Sequence, residues 1–139
     1  MRQAQETLNM ETAGPGLYEI TGQVTDWTEA QGMEHGLLSL FCAHSSASLI
    51  IQENADPAVL QDLEDFFWKL APEGEGLYRH SAEGTDDMPA HIKAALTATS
   101  LSIPLEGGRL VLGIWQGVYL YEHRTRSRAR RIHLHLLGD

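Results

Sequence analysis

The sequence predicts a single α+β domain in which a largely antiparallel β-sheet is covered by helices on one face. Segments with continuous or alternating apolar residues outnumber segments with helical periodicity, which favours sheet over helix. Most of these predicted strands follow one another through short turns, as in hairpins. The chain has 139 residues, enough for one domain and too few for two ordinary domains. We therefore expect residues 1–139 to form one unit with one core.

The N-terminal part predicts two strands and a short helix. Residues 3–11 and 17–21 have strand character and flank the turn-forming segment Ala13-Gly14-Pro15-Gly16, which predicts an opening hairpin. Thr21 can cap a helix that a later glycine ends.

The middle of the chain predicts two buried strands and a long helix. Residues 37–43 and 49–51 are apolar and are separated by a polar segment that begins at His44. Asp56-Pro57 predicts a helix start, because a carboxylate caps free amides and proline fits the first helical position. The helix is expected to run to about Leu70 and to bury one apolar stripe in the core. The stripe consists of Val59, Leu60, Leu63, Phe66, Phe67 and Leu70.

The C-terminal half predicts one more helix and three strands. Residues 71–86 form an irregular connection, long enough in a compact domain to suggest a functional role. A second helix is expected over 87–97. Strands are expected over 101–104 and 109–123, joined by a glycine-containing turn, and over 127–137.

Composition excludes several classes of protein. Hydrophobic residues make up 42% of the chain and charged residues 21%, which is typical neither of a disordered chain nor of a membrane protein. No apolar run approaches the roughly 20 residues that span a bilayer, and no signal peptide is recognisable. Cys42 is the only cysteine, which agrees with a reducing compartment. We therefore expect a cytoplasmic protein without a membrane partner.

Charge is unevenly distributed along the chain. The formal net charge is -9, which disfavours nucleic acid as a partner. Residues 124–139 nevertheless contain five arginines against one acid, Asp139. Because strand alternation places Arg128 and Arg130 on one face, this segment predicts an anion site. The anion is either one of the protein's own carboxylates or a small phosphorylated ligand.

Three histidines are candidates for metal ligands. His44 ends an apolar strand, His80 lies in the irregular connection and His91 lies on the second predicted helix. Three imidazoles from three elements can bind one divalent metal and leave a position for water or substrate. The alternative is that each ring is an isolated hydrogen-bonded side chain. His133 and His135 also share one side of a strand, where a solvated strand face is the simpler interpretation.

Carboxylates and an amide lie at element boundaries near these histidines. Glu53 and Asn54 follow a strand and precede a helix start, and Asp86 and Asp87 flank the start of the helix that carries His91, where capping accounts for one of the two. Helix starts attract anions and metals. We expect Glu53 and Asp86 to act on a metal-bound water or to orient a histidine.

Several short motifs, taken in order, resemble the YjbQ-like family, which is usually labelled secondary thiamine-phosphate synthase. The motifs are His44-Ser45-Ser46-Ala47-Ser48, Ile51-Gln52-Glu53-Asn54 with Asp56-Pro57, Tyr78-Arg79-His80, Ala90-His91-Ile92-Lys93 and Leu112-Gly113-Ile114-Trp115-Gln116-Gly117. The resemblance implies an α+β subunit that forms a homotrimer, with a site of histidines and acids near the subunit boundary.

The resemblance also bears on individual residues. His44, His80 and His91 match the family's histidines, and Glu53 and Asn54 match its acid-amide pair. Asp86 matches the aspartate of the family's usual Asp-Asn pair. The chain departs from the family pattern at four positions: Asp87 replaces the asparagine, Ile114 stands where threonine is frequent, and His133 and His135 replace β-branched residues.

Three activities remain open at this point. A synthase would need cationic groups to clamp a diphosphate, which Arg128, Arg130 and Arg131 could supply, and an aromatic wall for a ring, which Trp115 or Tyr78 could supply. Histidines, however, favour zinc, nickel, iron or manganese over magnesium, which suits a metal-activated water and therefore a hydrolase. A non-enzymatic metal-binding or small-ligand-binding trimer is the third alternative.

Overall fold

The computed structural model describes the whole chain, Met1 to Asp139, as eight strands and three helices. In chain order these are β1 (Arg2–Thr12), β2 (Gly16–Glu19), α1 (Thr21–Ala30), β3 (His35–Cys42), β4 (Ala47–Glu53), α2 (Pro57–Leu70), α3 (Asp87–Leu96), β5 (Ser100–Glu106), β6 (Arg109–Leu110), β7 (Gln116–Glu122) and β8 (Arg128–Gly138). None of the helices combines the length and the apolar content needed to cross a bilayer.

The strands form two antiparallel sheets. The larger has the order β1-β8-β3-β5-β6 and the smaller has the order β2-β7-β4. Every strand pair is antiparallel, which confirms the predicted α+β class with an antiparallel architecture. The strands divide between two sheets, whereas the sequence predicted one.

The core lies between the two sheets. In β8, Ile132, Leu134 and Leu136 are buried and alternate with outward-facing residues, as the period of a strand requires. Helix α1 closes one end of this core. The buried cluster consists of Ile20, Val24, Met33, Leu38, Leu40, Cys42, Ala47, Leu49, Ile103, Leu105, Val118, Leu120, Ile132, Leu134 and Leu136.

The predicted opening hairpin is wrong. β1 pairs along its whole length with β8, and β2 pairs with β7, so the two strands belong to different sheets. The turn at residues 13–16 therefore carries the chain from one sheet to the other. The predicted strand 109–123 is also interrupted, because the Gly113 amide donates to Gln116 Oε1 at 2.7 Å and a tight turn forms there. By contrast, β5 and β6 form the predicted hairpin across Gly107 and Gly108, whose φ angles are 56° and 76°.

Helices α2 and α3 cover the outer face of the smaller sheet. α2 has the predicted bounds, and Asp56 caps it by accepting from the Ala58 amide at 2.9 Å. Its Phe67 ring contacts Tyr121 of β7 edge-on at 5.9 Å. The prediction that this apolar stripe is core is wrong, because no residue of α2 is buried and Phe66 and Leu70 are more than half exposed.

Candidate metal centre

One cluster of side chains has the geometry of a metal site. Asp87 and His91 lie one turn apart on α3, and His80 folds against them from the preceding connection. The Asp87 Oδ2 atom is 2.5 Å from His80 Nε2 and 3.2 Å from His91 Nε2. The three ligand atoms all lie within 4.8 Å of one another.

The hydrogen bonds of His91 determine the tautomer of its ring, and therefore which ring nitrogen has a lone pair. Its Nδ1 lies 2.9 Å from the carbonyl oxygen of Ser45, which can only accept, so Nδ1 carries a hydrogen. In a neutral ring, Nε2 then presents a lone pair to the Asp87 carboxylate. Two lone pairs at this distance repel, so a cation, either a proton or a metal ion, is needed between the two groups.

Asp87 is a fixed carboxylate. It is only 1% exposed and begins α3, where the helix dipole favours negative charge. Arg124 donates from Nη1 to Asp87 Oδ1 at 2.7 Å, which leaves Oδ2 for the histidines. Burial raises the pKa of Asp87, but the hydrogen bond with His80 and the charge of Arg124 outweigh it, so the net shift is downward. Asp87 is therefore ionised and aimed at the two rings.

Asp86 contacts Arg124 and Thr125 and lies behind the cluster, in a supporting position. Its Oδ2 accepts from Arg124 Nε at 2.9 Å and from the amide and hydroxyl of Thr125 at 3.0 and 3.1 Å. Burial opposes ionisation, but these bonds lower the pKa of Asp86 to about 2. Asp86 therefore positions Arg124, which in turn holds Asp87.

His44 lies outside the cluster. Its Nε2 accepts from the backbone amide of Arg131 at 2.9 Å, so this lone pair is already used. Burial and the nearby charges of Arg130 and Arg131 lower the pKa of His44, which keeps the ring neutral. Within one chain the structure therefore groups Asp87, and not His44, with His80 and His91.

Glu53, Asn54 and Trp115 come together at a different place. The backbone N–H of Asn54 donates to the backbone carbonyl oxygen of Trp115 at 2.9 Å. Glu53, the last residue of β4, precedes Asn54. Ser45, which accepts from His91, precedes the opposite end of β4. Seven strand residues at roughly 3.3 Å each separate the two ends by about 20 Å. Within one chain, these residues therefore form a second group away from the histidines.

The two predicted anion-binding arginines have different surroundings. Arg130 is buried and forms two hydrogen bonds with Glu122, from Nε to Oε1 at 2.7 Å and from Nη2 to Oε2 at 2.5 Å. Of the two alternatives, the internal carboxylate therefore applies to Arg130. Arg128 forms no ion pair, and its buried Nε has no hydrogen-bond partner. With Arg126, it lines a cleft of about 300 Å³ beside Arg124.

A larger cavity gives access to the histidine cluster. It has a volume of about 460 Å³, is lined by the irregular connection over residues 74–85, and includes His80 and Tyr78. Gly84 and Thr85 line both this cavity and the arginine cleft. The connection that the sequence marked as unusually long therefore forms the wall between an exposed histidine and two unpaired arginines.

Asp87 and Arg124 are the functional residues that sequence reasoning did not assign. Asp87 was considered as one of two acids at the start of the second helix and as a departure from a family pattern, but it was not predicted as a ligand, although its spacing of four residues from His91 places both on one helix face. Arg124 had no local signal, because its partners are 37 and 38 residues away in the chain.

Comparisons with known proteins agree on one group. A family model described as UPF0047 protein YjbQ-like matches residues 6–139. A UPF0047 protein of Synechocystis is 51% identical over 138 residues, covering 99% of this chain and 94% of the relative. The UPF0047 protein YjbQ of Escherichia coli O157:H7 is 40% identical over 136 residues, covering 97% of this chain and 98% of the relative. A solved YjbQ/UPF0047 structure from Clostridium acetobutylicum has a TM-score of 0.88 at 34% identity, covering 95% of this chain and 99% of that one.

Proposed function

This chain belongs to the YjbQ-like UPF0047 family, and we propose that it binds one divalent transition metal ion through His80, Asp87 and His91. The supporting observation is the contact of 3.2 Å between His91 Nε2 and Asp87 Oδ2, where two lone pairs face each other unless a cation lies between them. Two imidazole nitrogens and one carboxylate suit zinc, nickel, iron or manganese and are a poor set for magnesium.

We further propose hydrolysis as the reaction. A metal with three protein ligands keeps a position for water, and it supplies a nucleophile by lowering the pKa of that water. In this chain, Arg124 and the Ser45 carbonyl hold two of the ligands, Asp87 and His91, in fixed orientations. His80 lies at the cavity and is the ligand nearest to an incoming substrate.

A phosphorylated small molecule is the proposed substrate class. Arg126 and Arg128 have no carboxylate partner on a chain with 19 acids, and the orphaned Arg128 Nε is a donor without an acceptor. Their cleft adjoins the histidine cavity through Gly84 and Thr85. Guanidinium groups bind phosphate oxygens in pairs, so a phosphate in the cleft would direct the rest of the molecule toward His80.

The synthase activity has weaker support. It would need a diphosphate clamp from Arg128, Arg130 and Arg131 and an aromatic wall from Trp115 or Tyr78. Arg130 is bound to Glu122 and Trp115 lies at the far end of β4, whereas Arg128 is unpaired and Tyr78 lines the cavity with His80. The engagement of Arg130 by Glu122 is the observation that favours hydrolysis over transfer.

We also propose that the protein is a homotrimer held together by the uncovered face of the larger sheet. No helix covers this face, and Phe41 and Leu137 are 50% and 45% exposed there. Among its outward-facing strand positions, carboxylates occur only near the ends, at Glu11 and Glu106, while Glu6 lines a depression beside His133. A face with few acids and exposed apolar side chains fits an acidic surface of a second copy, and such head-to-tail contacts can close into a ring. The residues are Gln3, Gln5, Thr7, Asn9, Arg131, His133, His135, Leu137, Leu37, Ser39, Phe41, Ser100, Ser102 and Pro104.

Calorimetric titration of the metal-free chain with zinc tests the metal proposal. We expect one ion per chain, and we expect His91→Ala and His80→Ala to weaken binding by about 100-fold or more, since each removes a ligand. His35→Ala is the matched control, because His35 is an exposed histidine outside the cluster. Unchanged affinity in His91→Ala would contradict the proposed site.

The hydrolase proposal is tested separately with p-nitrophenyl phosphate. We expect turnover that requires the metal, is lost in His91→Ala and shows a raised KM in Arg128→Met, which removes a phosphate contact. Stoichiometric metal binding with no turnover of this or other phosphate esters would favour a non-enzymatic metal-binding protein.

A further inference from the structure

A third, smaller cavity lies between α2, α3 and β7, and the proposed metal centre does not use it. Its volume is about 170 Å³. None of His80, Asp87 and His91 lines it. The residues that surround it are Pro15, Gly16, Glu64, Asp65, Trp68, Lys93, Tyr121 and Glu122.

Lys93 is the unusual member of this lining. It is only 6% exposed, yet its Nζ donates no hydrogen bond and forms no ion pair. The Nζ atom lies 5.4 Å from the centre of the Trp68 ring, and the carboxylates of Glu64, Glu73 and Asp86 act on its charge without forming an ion pair. Burial of the side chain outweighs these charges and lowers the pKa of Lys93. Lys93 is therefore a mostly buried cationic group at the cavity that makes no direct contact with a carboxylate.

The carboxylates around the cavity are of two kinds. Glu122 is fully occupied, because Thr12 and Arg130 donate to it. Glu64 and Asp65 lie on α2 and form no ion pair; Glu64 Oε1 accepts only a long bond, 3.3 Å, from the Leu17 amide. The cavity thus has one free cationic group inside, two free carboxylates on the α2 side, and the rings of Trp68 and Tyr121 as walls.

We propose that this cavity binds a small zwitterion, an α-amino acid with a short side chain. The carboxylate of the ligand accepts from Lys93 Nζ, and its ammonium group donates to Glu64 and Asp65. The aromatic walls add a favourable surface for the ammonium group. A cavity of roughly 150 Å³ holds a molecule of the size of benzene, so the volume limits the ligand to a few non-hydrogen atoms.

The alternatives of similar size match the charge pattern less well. A simple anion would meet Lys93 but would be repelled by Glu64 and Asp65. A simple cation would meet the carboxylates but would be repelled by Lys93. A ligand with both charges can contact Lys93 and the two carboxylates together, and its binding requires neither the metal nor the arginine cleft.

Binding of L-alanine to the full-length, metal-free protein tests this inference, with propionate and L-alaninamide as probes that each lack one charge. Calorimetry or ligand-observed NMR should detect binding of L-alanine. The affinity of each single-charge probe should be at least about tenfold lower, because a charge-assisted hydrogen bond is lost. Glu64→Gln should weaken L-alanine binding similarly. Lys69→Met is the control, since Lys69 is an exposed lysine of the same helix that does not line the cavity.

Lys93→Met removes the donor while keeping the length of the side chain, and it should abolish binding. If that variant does not fold, Glu64→Gln and the two single-charge probes decide the question. The inference is overturned if L-alanine does not bind at millimolar concentration, if propionate and L-alaninamide bind as well as L-alanine does, or if Glu64→Gln leaves affinity unchanged. The metal proposal is unaffected by any of these results.

Discussion

Arg124 holds Asp87 in a fixed orientation. The guanidinium donates from Nη1 to Asp87 Oδ1 at 2.7 Å, while the other oxygen of the same carboxylate faces His80 and His91. Asp86 completes the arrangement by accepting from Arg124 Nε at 2.9 Å. Two adjacent carboxylates therefore have different roles: Asp86 fixes the arginine, and Asp87 faces the proposed ion.

We predict that Arg124→Lys weakens zinc binding by about 10–100-fold, because residues that orient metal ligands typically contribute that much to affinity. Lysine keeps the charge but cannot contact both aspartates with a planar group. Arg126→Lys is the control, since Arg126 lies in the same cleft and does not contact Asp87. Equal zinc affinity in the two variants would show that Asp87 does not need Arg124.

The buried pair formed by Glu122 and Arg130 is predicted to be essential for stability. Removing one partner of a buried ion pair leaves an uncompensated charge and typically costs about 3–5 kcal/mol. We therefore expect Arg130→Met to lower the free energy of unfolding by that amount in urea denaturation. Arg126→Met, on the exposed side, should change it by less than about 0.5 kcal/mol. A similarly small effect of Arg130→Met would contradict this assignment.

His123 is predicted to make the fold sensitive to acid. Burial, and then the charge of Lys93, lower the pKa of His123 from 6.5 to about 3, and its Nε2 lies 2.9 Å from Ser48 Oγ. On acidification, the His123 ring is protonated in the unfolded chain at a higher pH than in the folded chain. The contribution of neutral His123 to the free energy of unfolding is therefore complete above about pH 6.5 and is lost as pH falls toward 3. The expected slope from this one group is about 1.4 kcal/mol per pH unit.

Urea unfolding between about pH 7 and pH 5 checks this expectation. His123→Gln should be less stable near neutral pH but should show a shallower loss on acidification. His35→Gln, at an exposed position, should follow the slope of the unaltered protein. Parallel curves for all three proteins would mean that His123 does not titrate as its burial implies.

The proposed trimer is tested at the uncovered sheet face. Phe41→Glu and Leu137→Glu should convert the trimer into monomers in sedimentation velocity, because a charge would be buried in each contact. Ile114→Glu is the control: Ile114 is 83% exposed and lies away from that face. A monomeric unaltered protein at micromolar concentration would reject the trimer itself, and a trimer in which only Ile114→Glu dissociates would place the interface elsewhere.

Local patterns predicted the parts of the fold that depend on local chemistry. Asp56-Pro57 marked the start of α2, and the alternation of apolar residues in β8 marked its buried face. The pairing of β1 with β8 joins the two ends of the chain, and no local pattern specifies such a contact. The opening hairpin was wrong for this reason, since a turn-forming segment permits a hairpin but does not require one.

The candidate site was only partly predictable on similar grounds. His80 and His91 were identified from their residue types and the family pattern, whereas His44 has the same character but uses its Nε2 lone pair on the Arg131 amide. Asp87 was detectable from its spacing to His91, but the decisive contact with Arg124 depends on the tertiary fold. The burial of the Lys93 side chain without an ion pair likewise becomes visible only when its surroundings are known.

The most direct test of the metal proposal is anomalous X-ray diffraction at the zinc edge from crystals of the zinc-loaded full-length chain. We expect one peak per chain, about 2.0–2.2 Å from His80 Nε2, His91 Nε2 and one oxygen of Asp87. A peak at His44, or well-ordered zinc-loaded crystals with no peak between His80, Asp87 and His91, would contradict the account.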